Sequence, residues 1–314
     1  MAKTKTNTKT NTKTNTTVVT AEELKNKAIK NKITFDVWVS IDGANINGDP
    51  NNENRPRTTE EANGNIVGLI SDVCIKRKIR KALMRMGHDV LLQSSDMRVD
   101  DAVSVVDRIK KDGFGEYLEE KADKEELARL LCEKYIDVRA FGTVGTYCDK
   151  SSFGVTGPVS ITMAKSVDPI EIETIDIVSN CPIKEDCRTG KKESSSMGKK
   201  HFVKFGLYRF SVNINVQLAE KTGFSDADVE AIKEAIRTLF VNDASAARPD
   251  GSCEVAKIFC FEHNCKDGQY SAAKIKRAIS AKLVDGVTTP MSIEDYEITY
   301  NELDGLKYEI IDGF

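Results

Sequence analysis

The sequence contains no long apolar stretch, no C-x-x-C pair and only 3 histidines. A bilayer-spanning helix needs roughly 20 consecutive apolar residues, and no segment approaches that length. The polar N-terminus also lacks the charged and then apolar pattern of a secretion signal, so we expect a cytoplasmic protein that contacts no membrane. The 8 cysteines and few histidines are scattered, which argues against a metal site and favours free thiols in a reducing compartment.

Common short motifs of catalysis are also absent. The sequence has no G-x-x-x-x-G-K-[ST], no G-x-S-x-G and no H-E-x-x-H, so nothing in it predicts a cofactor or a catalytic residue of these classes. What is present is the composition of a folded protein: 314 residues, 40% of them apolar, with a net charge of −3. Such a length suits one large decorated domain or two small ones.

Charge is nearly balanced overall but is unevenly distributed along the chain. From Lys76 to Arg85, six of ten residues are cationic, whereas the segment from Asp285 to the end has eight acids and one lysine. The first block predicts a surface that binds an anion, and the second predicts one that repels it.

Three copies of Thr-Lys-Thr-Asn fill residues 4–15 and offer nothing apolar to bury. We therefore predict a disordered tail at 1–19, followed by a single domain at 20–314 that ends in the acidic segment 285–314.

Apolar periodicity and capping residues predict the elements of that domain. Besides the main elements given below, helices are expected at 20–30 and 123–135. A β-bulge is expected near Gly206 to Arg209, where the alternation of apolar and polar residues changes phase. The strand at 33–41 should bury one face. The main elements come in the order strand 33–41, helix 65–86, strand 159–164, strand 207–218, helix 225–240 and strand 255–261. This β-α-β-β-α-β order predicts an α+β protein with a ferredoxin-like core and long insertions.

Three segments have the composition of a nucleic-acid site. The cationic helix has six positive charges on about three turns and only Asp72 as a nearby acid, so unpaired cations are available for phosphates; a solvated, ion-paired face is the alternative. The loop from Asn45 to Arg57 offers backbone N–H groups as an anion nest beside two arginines. A capped turn is one alternative there, and a calcium loop through Asp49 and its neighbours is another, although Asn54 occupies the position where such loops need glycine.

The third segment, Met197 to Arg209, interleaves cations with aromatics, as nucleic-acid-binding strands do; an edge strand with extended lysines is the simpler alternative. His201 lies beside Lys199 and Lys200 and is a candidate general acid or base for RNA cleavage. Histidines at strand starts more often serve in packing or hydrogen bonding.

Taken together, these residues resemble the backbone subunit of type I CRISPR Cascade complexes, a member of the RAMP superfamily, most closely that of subtype I-C. The resemblance runs in order from about residue 33 to 263. The matching motifs are Asn47-Gly-Asp-Pro-Asn51, Asn54-Arg-Pro-Arg57, Asp72-Val-Cys-Ile-Lys-Arg-Lys-Ile-Arg80, Asp137-Val-Arg-Ala-Phe-Gly142, Gly157-Pro-Val159, Ser166-Val-Asp-Pro-Ile170, Met197-Gly-Lys-Lys-His201, Gly206-Leu-Tyr-Arg209, Asp243-Ala-Ser-Ala-Ala-Arg248 and Phe261-Glu-His263.

The resemblance implies an RRM-type palm, helical fingers at about 87–136 and a thumb hairpin at about 166–200. It also implies a non-catalytic subunit that polymerises along CRISPR RNA, presents the guide to target DNA and joins a guide-processing sister subunit and a large subunit. The residues expected to bind RNA are Asn47, Gly48, Asn51, Arg55, Arg57, Lys76, Arg77, Lys78, Arg80, Lys81, Arg139, Phe141, Met197, Lys199, Lys200 and His201.

Two other functions remain open from the sequence. One is an endoribonuclease of the same superfamily, with His201, Asp42 or Asp49 as the catalytic residue. The other is an assembly protein whose basic helix docks on the acidic C-terminal segment of a neighbouring copy.

Overall fold

The computed structural model describes residues 20–119, 122–146, 152–178 and 197–314. The predicted tail at 1–19 and the centre of the predicted thumb, 179–196, lie outside the described residues. Short 3-10 helices cover Gly115–Leu118 and Ile293–Asp295. The α-helices of the described ranges are α1 (Ala21–Lys27), α2 (Asp72–Arg85), α3 (Val105–Lys111), α4 (Lys124–Lys134), α5 (Ile136–Phe141), α6 (Val216–Thr222), α7 (Asp226–Arg237) and α8 (Ala272–Ala278).

The strands of the described ranges pair in antiparallel fashion. They are β1 (Ile33–Ala44), β2 (Gly48–Asp49), β3 (Arg55–Pro56), β4 (Thr58–Glu60), β5 (Ile66–Ile70), β6 (Gly142–Gly145), β7 (Phe153–Thr156), β8 (Val159–Ile161), β9 (Ala164–Pro169), β10 (Ile172–Val178), β11 (Met197–Ile214), β12 (Cys253–Glu262), β13 (Ile279–Leu283), β14 (Tyr296–Tyr300) and β15 (Lys307–Asp312). The large sheet has the order β15-β12-β1-β11-β9-β5-β4, and β8 and β10 also pair with β11.

This mixture of one large antiparallel sheet with helices confirms the α+β class. Helices α2 and α7 pack on the same face of the sheet, because their apolar residues join one hydrophobic cluster with Phe35, Val37 and Val39 of β1. The sequence predicts two capping residues, Thr20 for α1 and Ser225 for α7, and both are confirmed. Asp123 also caps α4, which the sequence analysis did not predict. None of the described helices is both long and apolar enough to cross a bilayer.

Strand β1 is buried on both faces, so the prediction of a single buried face was wrong. Its second face carries Trp38, which joins a cluster with Phe259 and Phe261 of β12 and with residues of the C-terminal elements α8, β13 and β14. Elements α8, β13 and β14 therefore cover the face of the sheet opposite α2 and α7. The sequence pattern did not reveal this burial, because the face that carries Trp38 also carries the polar residues Thr34, Asp36 and Ser40.

An arginine of the sheet, Arg209, pairs with the buried Asp36 and also holds α8 and β13 against the sheet. The Asp36 carboxylate on β1 accepts hydrogen bonds from Arg209 Nε at 2.8 Å and from Ser211 Oγ at 3.2 Å. Arg209 also donates to the main-chain oxygens of Lys276 and Ile279 at 2.7 and 3.1 Å, and its guanidinium lies 4.8 Å from the centre of the Trp38 ring. Burial raises the pKa of Asp36, although Arg209 acts in the opposite direction.

The predicted helix at 65–86 is in fact a strand followed by a helix. Residues Ile66–Ile70 form β5, which pairs with β4 and β9, and Ser71 then caps α2 by accepting a hydrogen bond from the Cys74 N–H at 3.2 Å. The change of side in the apolar stripe marks this strand-to-helix junction. A single helix was the wrong explanation, because β-branched residues before a serine cap favour a strand that ends there.

The predicted bulge at Gly206 to Arg209 is also wrong. The pairing of β1 with β11 keeps one register from Ile33–Ile214 to Ala44–Val203. The change of phase has another cause, which is that β11 buries both faces: Phe210, Val212 and Ile214 join the main cluster, whereas Leu207 joins the cluster around Trp38. An irregularity does occur in the described sheet, between β1 and β12 at Trp38.

Residues between α2 and β6 form a smaller hydrophobic core of their own. Leu91, Ile109 and Leu118 pack there with residues of α4 and with Tyr135 and Val138. Asp137 holds this region together, since its carboxylate accepts the N–H groups of Leu91 and Leu92 at 2.7 and 3.2 Å, and it joins the region to α2 by accepting a hydrogen bond from Arg80 Nε at 2.9 Å.

Candidate nucleic-acid interface

The loop after β1 is fixed to the start of β11 by one buried amide. Asn45 Nδ2 donates to the main-chain oxygens of Asn54 at 2.5 Å and of His201 at 3.2 Å. The Asn45 N–H donates in turn to the Ala247 carbonyl at 2.8 Å. Two of the three segments that the sequence marked as nucleic-acid-binding therefore meet at Asn45, which begins the predicted loop but is not among the individual residues expected to bind RNA.

Backbone N–H groups of this loop are largely used within it. Asn51 N donates to Asp49 Oδ1 at 3.1 Å, Asn52 and Asn54 donate to the Asp49 carbonyl, and Arg55 N donates to the Asn52 carbonyl at 2.8 Å. An anion nest requires N–H groups that are free to bind a ligand. The predicted nest is therefore wrong for these four groups, and a capped turn, the alternative drawn from the sequence, describes the loop better.

The two arginines of the loop differ in their partners. Arg57 Nη2 lies 3.4 Å from Asp49 Oδ1 in a half-exposed ion pair, while Arg55 is partly exposed and has no side-chain partner among the described residues. Gly48 begins β2, which pairs with β3, and a Cβ on Gly48 would come within 2.8 Å of the Asn54 carbonyl oxygen. Nowhere in the described ranges do three His, Cys, Asp or Glu side chains converge to hold a metal ion.

Asn47 links the loop to the basic helix. Its Nδ2 donates to Ser71 Oγ at 3.2 Å, and the same oxygen caps α2. The Asn47 amide therefore has a structural partner, and the loop and the first turn of α2 are held together as one surface.

Most cations of α2 are paired, which contradicts the expectation that they lack partners. Lys76 pairs with Asp72 inside the helix, as its spacing indicated. The acids that pair with the other cations come from elsewhere in the chain, so helical spacing could not reveal them. These pairs are Arg77 with Asp96, Lys78 and Lys81 with Asp243, and Arg80 with Asp137.

Burial separates these cations into two groups. The Lys78 side chain is only 6% exposed, and Arg80 is enclosed between Asp137 and the Phe141 ring, whose centre lies 5.2 Å from its guanidinium carbon. Both side chains therefore stabilise the packing of α2. Arg77, with 58% of its side chain exposed, and the partly exposed Lys76 and Lys81 keep surface that a ligand could contact.

Arg139 and Phe141 contact helices rather than the loop. Arg139 forms a two-point ion pair with Asp228 at 2.7 and 3.0 Å and also donates to the Cys132 carbonyl at 2.5 Å. Asp228 in turn completes the capping box of α7 with Ser225. These contacts give Arg139 a structural role, as the contact with Arg80 does for Phe141. RNA binding by Arg139 and Phe141 remains a prediction.

The start of β11 carries the remaining predicted residues. Met197 is 75% exposed, Lys199 is exposed, and Lys200 is partly exposed with its Nζ 6.0 Å from the centre of the Phe202 ring. His201, by contrast, is 3% exposed. Its Nδ1 lies 2.8 Å from Thr174 Oγ1 on β10, and its Nε2 lies 3.8 Å from Glu53 Oε2. The strand therefore presents Met197 and the lysines outward and encloses the histidine.

Comparison of the sequence with family profiles shows the family of this chain. A profile of the family described as CRISPR-associated protein Cas7 matches residues 31–301. The chain belongs to the Cas7 family. A relative from Haloferax volcanii, described as CRISPR-associated protein Cas7, is 26% identical over 205 residues, which are 60% of this chain and 58% of the relative. The chain thus matches less than two thirds of the length of that Cas7 protein.

Two solved structures contain chains that align with this one. One is described as a CRISPR RNA-guided surveillance complex, pre-nicking, with a TM-score of 0.48 and 13% identity over 78% of this chain and 81% of that chain. The other is described as a CRISPR RNA-guided surveillance complex, with a TM-score of 0.45 and 17% identity over 82% of this chain and 78% of that chain.

The residues that sequence reasoning missed in this Cas7-family chain are mostly the partners of the predicted ones. Asn45, Asp137 and Asp243 each hold a predicted segment or cation in place. Asp137 and Asp243 do begin two of the motifs on which the resemblance was based. Their presence in those motifs was the available signal, but the sequence alone gave no way to match each acid with its cation.

Proposed function

We propose that this Cas7-family chain is a non-catalytic subunit that binds CRISPR RNA and, in repeated copies, forms the backbone of a type I-C Cascade complex. The observation that carries the proposal is the Asn45 tether, which joins the loop with Arg55 and Arg57 to the strand with Lys199 and Lys200. We propose that the cations of these two segments form one surface, which is suited to a sugar-phosphate chain.

The chemistry of this surface favours binding that does not depend on base sequence. The lysines, arginines and exposed methionine that we assign to this surface suit phosphates and base faces rather than base edges, and the loop also exposes Asn51, Asn52, Glu53 and Asn54. A subunit that accepts any guide sequence must leave the base edges free for pairing with target DNA. We propose that the guide RNA reads the target and that this chain holds the guide.

The shape expected of such a subunit also has support. The strand order β12-β1-β11-β9 with α2 and α7 on one face supports a ferredoxin-like, RRM-type palm. The separate core around Leu91 and Tyr135 supports fingers at about 87–136, and the pairing of β10 with β11 supports a thumb hairpin at about 166–200. Partners would be further copies of the chain, a guide-processing sister subunit and a large subunit, in the cytoplasm.

An RNA-cleavage assay separates this proposal from the endoribonuclease alternative. Because His201 is enclosed and its Nδ1 is engaged by Thr174, we expect no specific products when the purified protein is incubated with CRISPR repeat RNA. Wild type, His201→Ala, Asp42→Ala and Asp49→Ala should all leave the RNA intact. Specific cleavage by the wild type that disappears in one of these variants would identify a nuclease instead.

A further inference from the structure

A small cavity of about 160 Å³ lies between α2 and the segment from Asp243 to Arg248. Its lining holds more positive than negative charge, with four cations and two carboxylates, and Ile46, Cys74, Met97, Ala244 and Ser245 complete it. The charged residues of the lining are Arg77, Lys78, Lys81, Arg248, Asp96 and Asp243. An excess of like charges in a partly desolvated space favours the binding of an anion.

A single carboxylate serves three of these cations. Asp243 Oδ2 accepts hydrogen bonds from Lys78 Nζ and from Arg248 Nε, the latter at 3.0 Å, and Oδ1 accepts one from Lys81 Nζ at 3.2 Å. Burial by itself would raise the pKa of Asp243, but Lys78 and Arg248 lower it below its ordinary value. Asp243 is therefore ionised at neutral pH. Burial lowers the pKa of Lys78, but Lys81 and Arg248 alone already carry more positive charge than the one carboxylate balances.

Two of the three cations remain accessible. Lys78 is buried, whereas Lys81 and Arg248 each keep 24% of their side chains exposed. In the described structure only Nε of the Arg248 guanidinium has a side-chain partner, so its Nη groups keep donors for a further acceptor. The geometry of a guanidinium beside an ammonium matches that of a phosphate with several acceptor oxygens.

The cavity adjoins the loop of the proposed RNA surface. Ile46 belongs to its lining, and the Ile46 carbonyl lies 3.5 Å from Cys74 Sγ on α2. The hydrogen bond from Asn45 N to the Ala247 carbonyl fixes the other wall of the cavity to the same loop. A phosphate in the cavity would therefore lie beside the loop that carries Arg55 and Arg57.

We infer that this cavity is a phosphate-binding site, in which Lys81 and Arg248 bind the oxyanion and Asp243 is their counter-ion when the ligand is absent. This inference rests on the proposed function, because the ligand it assigns is a phosphodiester of the guide RNA. It adds Arg248 to the RNA-binding residues and gives Lys78 a supporting role. Free inorganic phosphate has the same chemistry and is tested separately.

Two variants of the full chain, Lys81→Gln and Arg248→Gln, test the site. Each should weaken binding of single-stranded RNA about tenfold for any base sequence and lower the salt dependence of log K by about 0.7 per lost contact. Lys233→Gln and Arg237→Gln on α7 are matched controls, since each is paired with a neighbouring glutamate outside the cavity. They should bind RNA as the wild type does.

Inorganic phosphate provides a second readout. Compared with chloride at equal ionic strength, phosphate should raise the melting temperature of the wild type and of both controls, and this rise should be lost in Lys81→Gln and Arg248→Gln. If phosphate stabilises all five proteins equally and the cavity variants bind RNA as the controls do, the site is ruled out. If phosphate stabilisation is lost but RNA binding is unchanged, the assignment of the guide as the ligand is overturned.

Failure of the proposed function has a different signature. In that case the wild type itself does not bind RNA, whatever the cavity variants do. Wild-type binding together with unchanged binding by Arg248→Gln would overturn only the inference about the cavity. Asp243→Asn adds an independent check, since removing the counter-ion should increase the phosphate-induced rise in melting temperature above that of the wild type.

Discussion

Replacing Arg55, Lys199 and Lys200 together by glutamine should weaken binding of single-stranded RNA about 100-fold and lower the salt dependence of log K by about 2. These three cations lie on the loop and the strand that Asn45 joins, and none has a described acidic side-chain partner within 4.0 Å. Without such partners they are available to bind phosphate. The loss should be similar for RNAs of different base sequence, because phosphate contacts do not read bases.

Filter binding or fluorescence anisotropy over a range of salt concentrations measures this effect. The matched control is the triple variant Lys274→Gln, Arg277→Gln and Lys282→Gln, which changes the net charge equally through exposed residues of α8 and β13. The control should keep nearly the affinity of the wild type. Equal weakening of the two triple variants would show that overall charge, rather than the surface at Asn45, determines RNA binding.

Replacing Arg209 by methionine should lower the free energy of unfolding by about 3 to 5 kcal/mol. The substitution leaves the Asp36 carboxylate buried without its charge partner and removes the donor from the carbonyls of Lys276 and Ile279. Elements α8 and β13 would also lose these polar contacts with the sheet and keep only their apolar packing. Urea denaturation measures the change, and a loss below about 1 kcal/mol would contradict the role of the pair.

The pH dependence of this variant has a defined sign. Burial raises the pKa of Asp36 in the folded state above its unfolded value, so protonation of Asp36 favours folding. Arg209→Met should therefore be destabilised less at about pH 4 than at about pH 7, with the deficit growing as the pH rises through the folded pKa. The double variant Asp36→Leu and Arg209→Met should recover much of the stability, since it removes both charges.

Helix caps and the alternation of apolar residues predicted those helices and strands whose signals lie within a few residues of one another. The caps at Thr20 and Ser225 and the alternation of strand β1 were sufficient to predict those helices and that strand. The junction at Ser71 was misinterpreted, although the change of side in the apolar stripe marked it. The second buried face of β1 could not be predicted, because it depends on α8, β13 and β14, more than 200 residues further along the chain.

The candidate site was predictable in its residue types but not in its pairing. Sequence composition marked the basic helix, the loop and the start of β11, and two of these meet at Asn45. The ion pairs of Lys81 with Asp243 and of Arg80 with Asp137 join residues 162 and 57 positions apart, so no spacing rule could find them. The enclosed position of His201 likewise depends on Thr174 and Glu53, which belong to other elements.

The proposed function requires that several copies of this chain bind side by side along one RNA. The most direct test is the mass of the complexes that the purified protein forms, at low ionic strength, with two single-stranded RNAs of unrelated sequence, one twice as long as the other. We predict that the longer RNA carries about twice as many copies of the protein, by light scattering during size-exclusion chromatography. One copy on both RNAs, or no complex with either, would contradict the claim.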